Sequence, residues 1–345
     1  MVLEMTVIKV SVIVPCRNEK RHIQPFLESL LAQEPGPDLD CEFLIADGLS
    51  DDGTRDILAD WQRRFRTFVI IDNENQTVSS GLNEAIRQAT GEIIIRMDVH
   101  SEYAPDYIRQ CVAALQQTGA ENVGGPALAR GTTYMQKAIC LAYKSRFGCG
   151  GALFHNPDYE GYVDTVTYGC WRKSTLERLG LFDEGFVRNQ DDELNLRTTR
   201  RGGKIWQTPR IRSWYSPRAS LIALARQYGQ YGYWKVQVMK KHRIPASWRH
   251  LAPGSFVAAL ILFGVTAPFL PVSARIFAAL AGTYLAAGLI ASFVACRKPE
   301  NWLLFPAMPF VFASYHFSYG LGFLRGLWDV AMRRKPVPAF TAVVR

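Results

Sequence analysis

Between Asn195 and Pro299 the chain contains no aspartate and no glutamate. Thirteen Lys and Arg fall between Arg197 and Arg249, so the +9 net charge of the 345-residue chain is gathered in one region. A basic block of this kind can serve nucleic acid. Here it runs directly into long uncharged apolar segments, which favours anionic lipid headgroups on a cytoplasmic leaflet, and no nucleic-acid partner is expected. Cysteine is sparse and unpaired in pattern. Cys16, Cys41, Cys111, Cys140, Cys149, Cys170 and Cys296 are odd in number and scattered without a C-x-x-C spacing. That excludes a disulfide framework and reads as buried thiols in a reducing compartment. No G-x-G-x-x-G and no Walker A sequence occurs, which removes the main support for a dinucleotide oxidoreductase or a P-loop enzyme. A leader pattern is also missing, because Glu4 interrupts the N-terminus and residues 10–14 flow into a strand; the N-terminal domain is expected to stay in the cytoplasm.

What is present is ample apolar material, 48% of residues, arranged as an alternation. Residues 10–14 form a β-branched run stopped by Pro15, 22–33 are helical in pattern, and 43–46 form a second buried run ending at Asp47-Gly48. Helical pattern at 54–65, strand at 68–71, helix at 79–89 and strand at 92–97 follow. The alternation predicts an α/β fold with a mostly parallel central sheet covered by helices on both faces. In such sheets ligands collect beyond the carboxyl ends of the strands. Here those ends carry Pro15-Cys16-Arg17-Asn18-Glu19, Asp47-Gly48, Asp72-Asn73 and Asp98-Val99-His100. Asp51, Asp52 and Thr54 can be read as caps of the second helix, whereas Asp47 sits at the strand terminus itself.

The last of these ends, EIIIRMDVHSEYAP over 92–105, is the stretch around which the rest is organised. Residues i and i+2 of an extended chain point to one side, so Asp98 and His100 can face one ligand. A carboxylate oxygen with an imidazole nitrogen suits Mn²⁺, while Mg²⁺ prefers more oxygen and water. The alternative is a strand ending in two ordinary loop polars.

SVIVPCRNE (11–19), LIADGLSDDGT (44–54), GLNEAIRQA (81–89) followed by Gly91-Glu92, and Asp98-Val99-His100 resemble, in order and spacing, the nucleotide-sugar-binding motifs of family 2 glycosyltransferases. DTVTYG (164–169), Phe182-Asp183-Glu184, NQDDELN (189–195), GGKIW (202–206), YSPR (215–218) and RQYGQYGYWK (226–235) extend the match over essentially the whole chain. It is similar to the bacterial exopolysaccharide branch, the succinoglycan ExoA-like glycosyltransferases. The resemblance implies a GT-A fold, with Pro15, Arg17, Glu19, Asp47, Asn83 and Asp98 around the donor nucleotide. Asp98 stands at the first Asp of the family's D-x-D and His100 replaces the second, so the implied Mn²⁺ or Mg²⁺ site carries one negative charge fewer.

Hexose transfer from a nucleoside diphosphate needs stabilisation of a diphosphate leaving group and a base for the attacking hydroxyl. By register with the family's E-D-x-D-L pattern, Asp191 matches the catalytic Asp, Gln190 replaces the Glu, and Asp192 is the rival base or a positioning group. The competing reading is that Asp191, Asp192 and Glu193 merely begin a helix, where acids meet the positive end of its dipole. A single displacement with one base implies inversion. Residues 148–155 (GCGGALFH) read either as a mobile loop over the donor or as a plain turn. Tyr168, Trp171 and Trp206 read as a sugar platform or as core.

Residues 221–242 have the pattern of an interfacial amphipathic helix. Within them Gln230 to Trp234 resembles the Q-x-x-R-W of processive synthases, with Tyr233 in place of the arginine; Tyr233 and Trp234 are candidate positioning residues for acceptor or donor, and the departure favours addition of single sugars. Residues 251–270 and 276–296 are uncharged and long enough to span a hydrocarbon core of about 30 Å. Arg297 and Lys298 then return to the cytoplasm, as the positive-inside preference requires. A third segment, 302–324, carries Pro306, Pro309 and His316 and is expected to be re-entrant or interfacial, with a third crossing left open. The expected organisation is a catalytic domain over 1–215, an interfacial region over 216–250 and a membrane region over 251–345. The expected protein is a multi-pass inner-membrane enzyme with a cytoplasmic catalytic domain. It would take a UDP-sugar, with UDP-glucose favoured by resemblance, and a polyprenyl-diphosphate-linked saccharide. The alternatives are a silent nucleotide-sugar-binding subunit and a processive synthase.

Overall fold

The computed structural model describes residues 7–244 and 247–341, so the neighbourhood of Glu4 lies outside the described residues. In chain order the elements are β1 (Ile8–Cys16), α1 (Ile23–Leu31), β2 (Leu39–Asp47), α2 (Thr54–Arg64), β3 (Phe68–Asp72), α3 (Val78–Gln88), β4 (Ile93–Arg96), β5 (Ser101–Tyr103), α4 (Tyr107–Thr118), β6 (Asn122–Gly125) and β7 (Leu128–Ala129). They continue with α5 (Tyr134–Tyr143), α6 (Arg146–Cys149), β8 (Gly161–Val163), β9 (Thr167–Arg172), α7 (Lys173–Leu179), α8 (Gln190–Arg200), β10 (Ile205–Gln207), β11 (Ser213–Tyr215), α9 (Leu221–His242), α10 (Ala252–Thr266), α11 (Pro271–Ala295) and α12 (Met308–Ala331). Two compact units result. The first takes the chain up to Leu128 and again from Asn156 to Tyr215; the second takes Ala129–His155 and the chain from Ser216 on.

The first unit is built on an eight-stranded sheet in the order β3-β2-β1-β4-β9-β6-β10-β8, with a small sheet β5-β11-β7 beside it. The β-branched run of β1 alternates its side chains between two cores. Val10, Val12 and Val14 enter one cluster with Phe26, Leu27, Tyr107 and Leu115, while Ile13 enters the other with Leu82, Ile86, Trp171 and Leu194. Strands buried on both faces need apolar residues at every position, which is why these runs lack polar alternation. The β3-β2-β1-β4 half is parallel. Because β9 runs antiparallel between β4 and β6, and β8 antiparallel to β10, the sheet as a whole is mixed. Strand order reverses at β1, with β2 on one side and β4 on the other, and the register sets Cys16 beside Asp47 and Asp47 beside Asp72. The polar residues after β1, β2, β3 and β4 therefore share one rim.

The second unit is helical. Residues 129–155, which the sequence places inside a continuous 1–215 domain, belong here because α5 buries Ala138, Ile139 and Ala142 with Leu304, Met308, Val311, Phe312 and Tyr315. The centre of this unit is the crossing of α9 and α12, made close by glycine. A Cβ on Gly322 would stand 2.0 Å from the carbonyl oxygen of Gly229, and one on Gly232 would stand 2.1 Å from that of Tyr319. On the face of α9 read as interfacial, Leu224 and Val238 are buried and Leu221, Tyr228 and Tyr231 are half-buried, with Tyr228 packed on Tyr315 of α12. Pro306 falls in a 3₁₀ segment, Pro299–Ala307, and Pro309 in the first turn of α12, where a missing N–H costs nothing, so neither interrupts the 24-residue helix. Two helical stretches, Trp248–Thr266 and Pro271–Ala295, are long and apolar enough to cross a membrane, and Phe269, Leu285, Ile290 and Phe293 on or beside them are exposed.

Candidate active site

The loops at the rim are tied to one another by short polar contacts. Asn18 N–H donates to Ser50 Oγ at 2.7 Å, Asp51 N–H to Asn18 Oδ1 at 2.9 Å, and Glu19 N–H to Thr54 Oγ1 at 2.7 Å. Asp47 is wholly buried at this junction, accepting from Ser50 Oγ at 2.5 Å, Ser50 N–H at 3.1 Å and Arg55 Nη1 at 3.1 Å. Arg55 also pairs with Asp72, so one guanidinium joins the ends of β2 and β3. Pro15 is half-buried, and the exposed Arg17 lays its stem against Gly48. Asn83 is buried on α3 and spends its amide on the backbone of Phe182 and on Glu184 at 2.8 Å, which fixes the 182–184 loop rather than presenting the side chain at the rim.

After β4 the chain turns sharply. Ser101 N–H donates to Asp98 O at 3.1 Å, and Asp98 N–H donates to the Tyr103 hydroxyl at 2.6 Å. The turn presents Asp98 with Oδ1 accepting from His100 N–H at 3.0 Å, while its Oδ2 takes no hydrogen bond among the described residues. The half-exposed His100 ring meets Glu19 through Nε2 at 2.9 Å and lies edge-on to His22. A carboxylate on the far nitrogen of an imidazole is the usual support of a metal-bound histidine, with Nδ1 then the ligating atom. Among the described residues no group of three or more His, Cys, Asp and Glu could hold a metal ion. A cation at Asp98 and His100 would thus have at most these two protein ligands and would draw the rest from substrate phosphates and water.

Asp191 lies in the first turn of α8, after Asn189 in a left-handed conformation (φ 60°). Of the acids that open this helix, Glu193 and Asp191 have separate partners. Glu193 is buried and pairs with Arg197 through both oxygens, at 2.5 and 3.2 Å, whereas Asp191 Oδ1 receives Arg96 Nη1 from the end of β4. Asp192 is half-buried beside it. Arg96 is itself buried, and although burial works against its charge, Asp191 and then Asp98 hold it firmly protonated. One guanidinium thus interacts with two carboxylates that are distant in sequence. The Asp191 side chain keeps 38% of its surface open while Arg96, Asp192 and Asp98 act on it from the protein side. Burial raises its pKa, with Arg96 opposing and the charges of Asp192 and Asp98 reinforcing the rise. Tyr168 completes the wall. Its backbone is left-handed (φ 61°), its hydroxyl meets Ser101, and its ring lies 5.9 Å from the Arg96 guanidinium. Trp171 and Trp206, the other two aromatics of the expected platform, pack against the cores.

In the second unit Tyr233 and Trp234 are buried, and their polar atoms go to that unit's own groups. The Tyr233 hydroxyl donates to Asp329 at 3.1 Å, Trp234 Nε1 donates to Phe340 O at 2.8 Å, and the Phe340 ring stacks on Tyr233. Gln230 donates to Ala339 O at 3.2 Å. His155 packs on Tyr143 and Phe154; burial, helped by Arg249, lowers its pKa to about 3.

Arg96 is the site residue that motif reading passed over. A lone arginine closing an Ile-Ile-Ile strand, two positions before Asp98 and hence on its side, was the available signal.

The profile described as Glycosyl transferase family 2 matches residues 11–170, which takes in the rim loops and ends before Asp191. The succinoglycan biosynthesis protein ExoA of Rhizobium meliloti (strain 1021) is 31% identical over 263 residues, 76% of this chain and 78% of its own length. A Methanococcus voltae enzyme, dolichyl N-acetyl-alpha-D-glucosaminyl phosphate 3-beta-D-2,3-diacetamido-2,3-dideoxy-beta-D-glucuronosyltransferase, is 28% identical over 92% of this chain and 97% of its own. Among solved structures, the mannosyltransferase PcManGT from Pyrobaculum calidifontis, in complex with GDP-Man and Mn²⁺, superposes with a TM-score of 0.55 at 20% identity, covering 93% of this chain and 87% of that one. The mixed α/β sheet is accordingly a GT-A-like fold, and the chain belongs to glycosyl transferase family 2 and is a glycosyltransferase.

Proposed function

We propose that the enzyme is an inverting hexosyltransferase. It takes a hexose, glucose from UDP-glucose in the favoured case, and adds it to a polyprenyl-diphosphate-linked saccharide in exopolysaccharide assembly. The observation that carries this reading is the convergence of Asp98 and Asp191 on Arg96, which sets a candidate leaving-group side and a candidate base side on one guanidinium. Asp98 and His100 would hold a divalent cation, Mn²⁺ or Mg²⁺, and that cation would offset the charge growing on the departing diphosphate. Pro15, Arg17 and Glu19 lie in the loop that would border the nucleotide. Asp47 would act there through the loop it holds, since Ser50 and Arg55 already occupy its oxygens. Asp191 accepts the acceptor's hydroxyl proton as the new C–O bond forms, and the bond from the anomeric carbon to the diphosphate oxygen breaks with its electron pair leaving on that oxygen. With one base on the face opposite the leaving group, the displacement inverts, giving a β-glycoside from an α-linked donor.

The lipid-linked acceptor is supported by two features: the near full-length archaeal relative, whose name carries a dolichyl-linked sugar phosphate, and the two apolar helical stretches. The apolar stretches also support membrane association, and the basic residues between Arg197 and Arg249 and at 297–298 favour the cytoplasmic leaflet of the inner membrane, with the catalytic unit on that side. Membrane extract with Mn²⁺, a panel of UDP-sugars and a lipid-linked acceptor tests the reading. UDP release by wild type and its loss in Asp191→Asn is the expected result; equal release from both removes Asp191 from the mechanism.

A further inference from the structure

We propose that Arg96 is the positioning residue of the base: its guanidinium engages Oδ1 of Asp191 and thereby leaves Oδ2 to receive the acceptor's proton. The proposal rests on the reading of Asp191 as that base. A guanidinium at the end of a buried strand is costly unless paired, and the fold supplies the pair from 95 residues further along the chain. Oδ2 of Asp191 has no hydrogen bond among the described residues, and the side chain is open to solvent on one side. Four groups act on this carboxylate: Arg96 from β4, Asp98 just beyond β4, Asp192 on the same helix and Tyr168 from β9. Three of these are acidic, or become anionic on ionising, so Arg96 is the one counter-charge among them. The Tyr168 ring against the guanidinium and the Tyr168 hydroxyl on Ser101 limit the directions in which Arg96 can swing. Arg96 Nε is buried without a hydrogen-bond partner, so the hydrogen bond this guanidinium makes is the one from its Nη1 to Asp191. Arginine does not give up its proton in proteins, so Arg96 holds and orients while Asp191 moves the proton.

Initial-rate kinetics on the full chain in detergent, varying donor and acceptor, test this with Arg96→Met, Arg96→Lys, Asp191→Asn and the Arg96→Met/Asp191→Asn double variant. Misplacing a reacting group by about 1 Å costs roughly 100-fold. Arg96→Met is therefore expected to lower kcat about 100-fold with donor KM nearly unchanged. Arg96→Lys should regain about tenfold of that loss, since it restores charge without the planar fork. In the Asp191→Asn background Arg96→Met should cost nothing further, because residues acting through one another are not additive. Losses that multiply in the double variant, or an effect confined to donor KM, overturn the proposal and make Arg96 a donor ligand instead. If Asp191→Asn transfers at the wild-type rate, the base assignment fails first, an outcome distinct from an active Arg96→Met beside an inactive Asp191→Asn. Should Arg96→Met not accumulate folded, Arg96→Lys decides alone: a lower kcat at constant donor KM, absent in the Asp191→Asn background, supports the proposal, and an unchanged kcat overturns it.

Discussion

The two units of this chain carry opposite charge. The second has 19 Lys and Arg against two acids, Glu300 and Asp329, a net +17; the first has 21 against 29, a net −8, and the two together give the chain's +9. Several acids of the first unit tie loops or pair across the rim, as Asp47, Glu19, Asp98 and Asp191 illustrate. Of the second unit's two acids, Asp329 is buried on α12 between Arg325 and Tyr233, so its surface is basic nearly throughout. Net charge says little about a fold and much about what a surface meets. An acid-depleted surface beside two exposed apolar helical stretches suits an anionic lipid leaflet, while an acid-rich rim suits a cation and a hydroxyl to be deprotonated.

That contrast can be broken most forcefully at the rim. Asp191→Asn should reduce kcat by about 10² to 10⁴, the range for losing a general base, with UDP-sugar binding by calorimetry retained. A variant that loses binding and turnover together would place Asp191 with the donor. At the other unit, Gly322→Ala puts a methyl against the Gly229 carbonyl and should destabilise the α9–α12 crossing by roughly 1–3 kcal/mol. Thermal unfolding should then show the helical unit melting earlier while nucleotide still protects the first; loss of both together would mean the contrast is not also one of stability. Smaller again is the lipid effect. Replacing the exposed Lys240 and Arg243 by glutamine should weaken binding to anionic vesicles by about 1 kcal/mol per charge and leave binding to neutral vesicles unchanged. Indifference to vesicle charge would leave the basic surface without that role. The smallest effect is on pH. Because burial raises the pKa of Asp191, the acid limb of kcat should lie above the ordinary aspartate range, activity falling as pH drops through it, and Arg96→Lys should move that limb only slightly.

Much of the first unit was legible because its code is local. Apolar runs that end in Pro15, Asp47, Asp72 and Asp98 announce parallel strands and their rim, and each motif sits on one loop. Arg96 was not legible as a partner of Asp191, since nothing near either residue records that β4 and the start of α8 face one another. Asn83 shows the same limit, because a motif position does not reveal that its amide will be consumed by Phe182 and Glu184. In the second unit, periodicity showed that α9 has an apolar face but not what covers it. A lipid surface and the glycine-notched side of α12 make the same demand on a helix, and Gly322 and Gly326 are where α12 closely approaches α9.

Gln230 and Trp234 direct their side-chain N–H groups at carbonyl oxygens of Ala339 and Phe340. These contacts fasten residues 339 and 340 to α9, and cutting the chain short of them would remove both hydrogen bonds from that helix. Purification handles and reporter fusions on this enzyme are therefore better separated from Phe340 by a generous spacer, so that the last turns keep their seat.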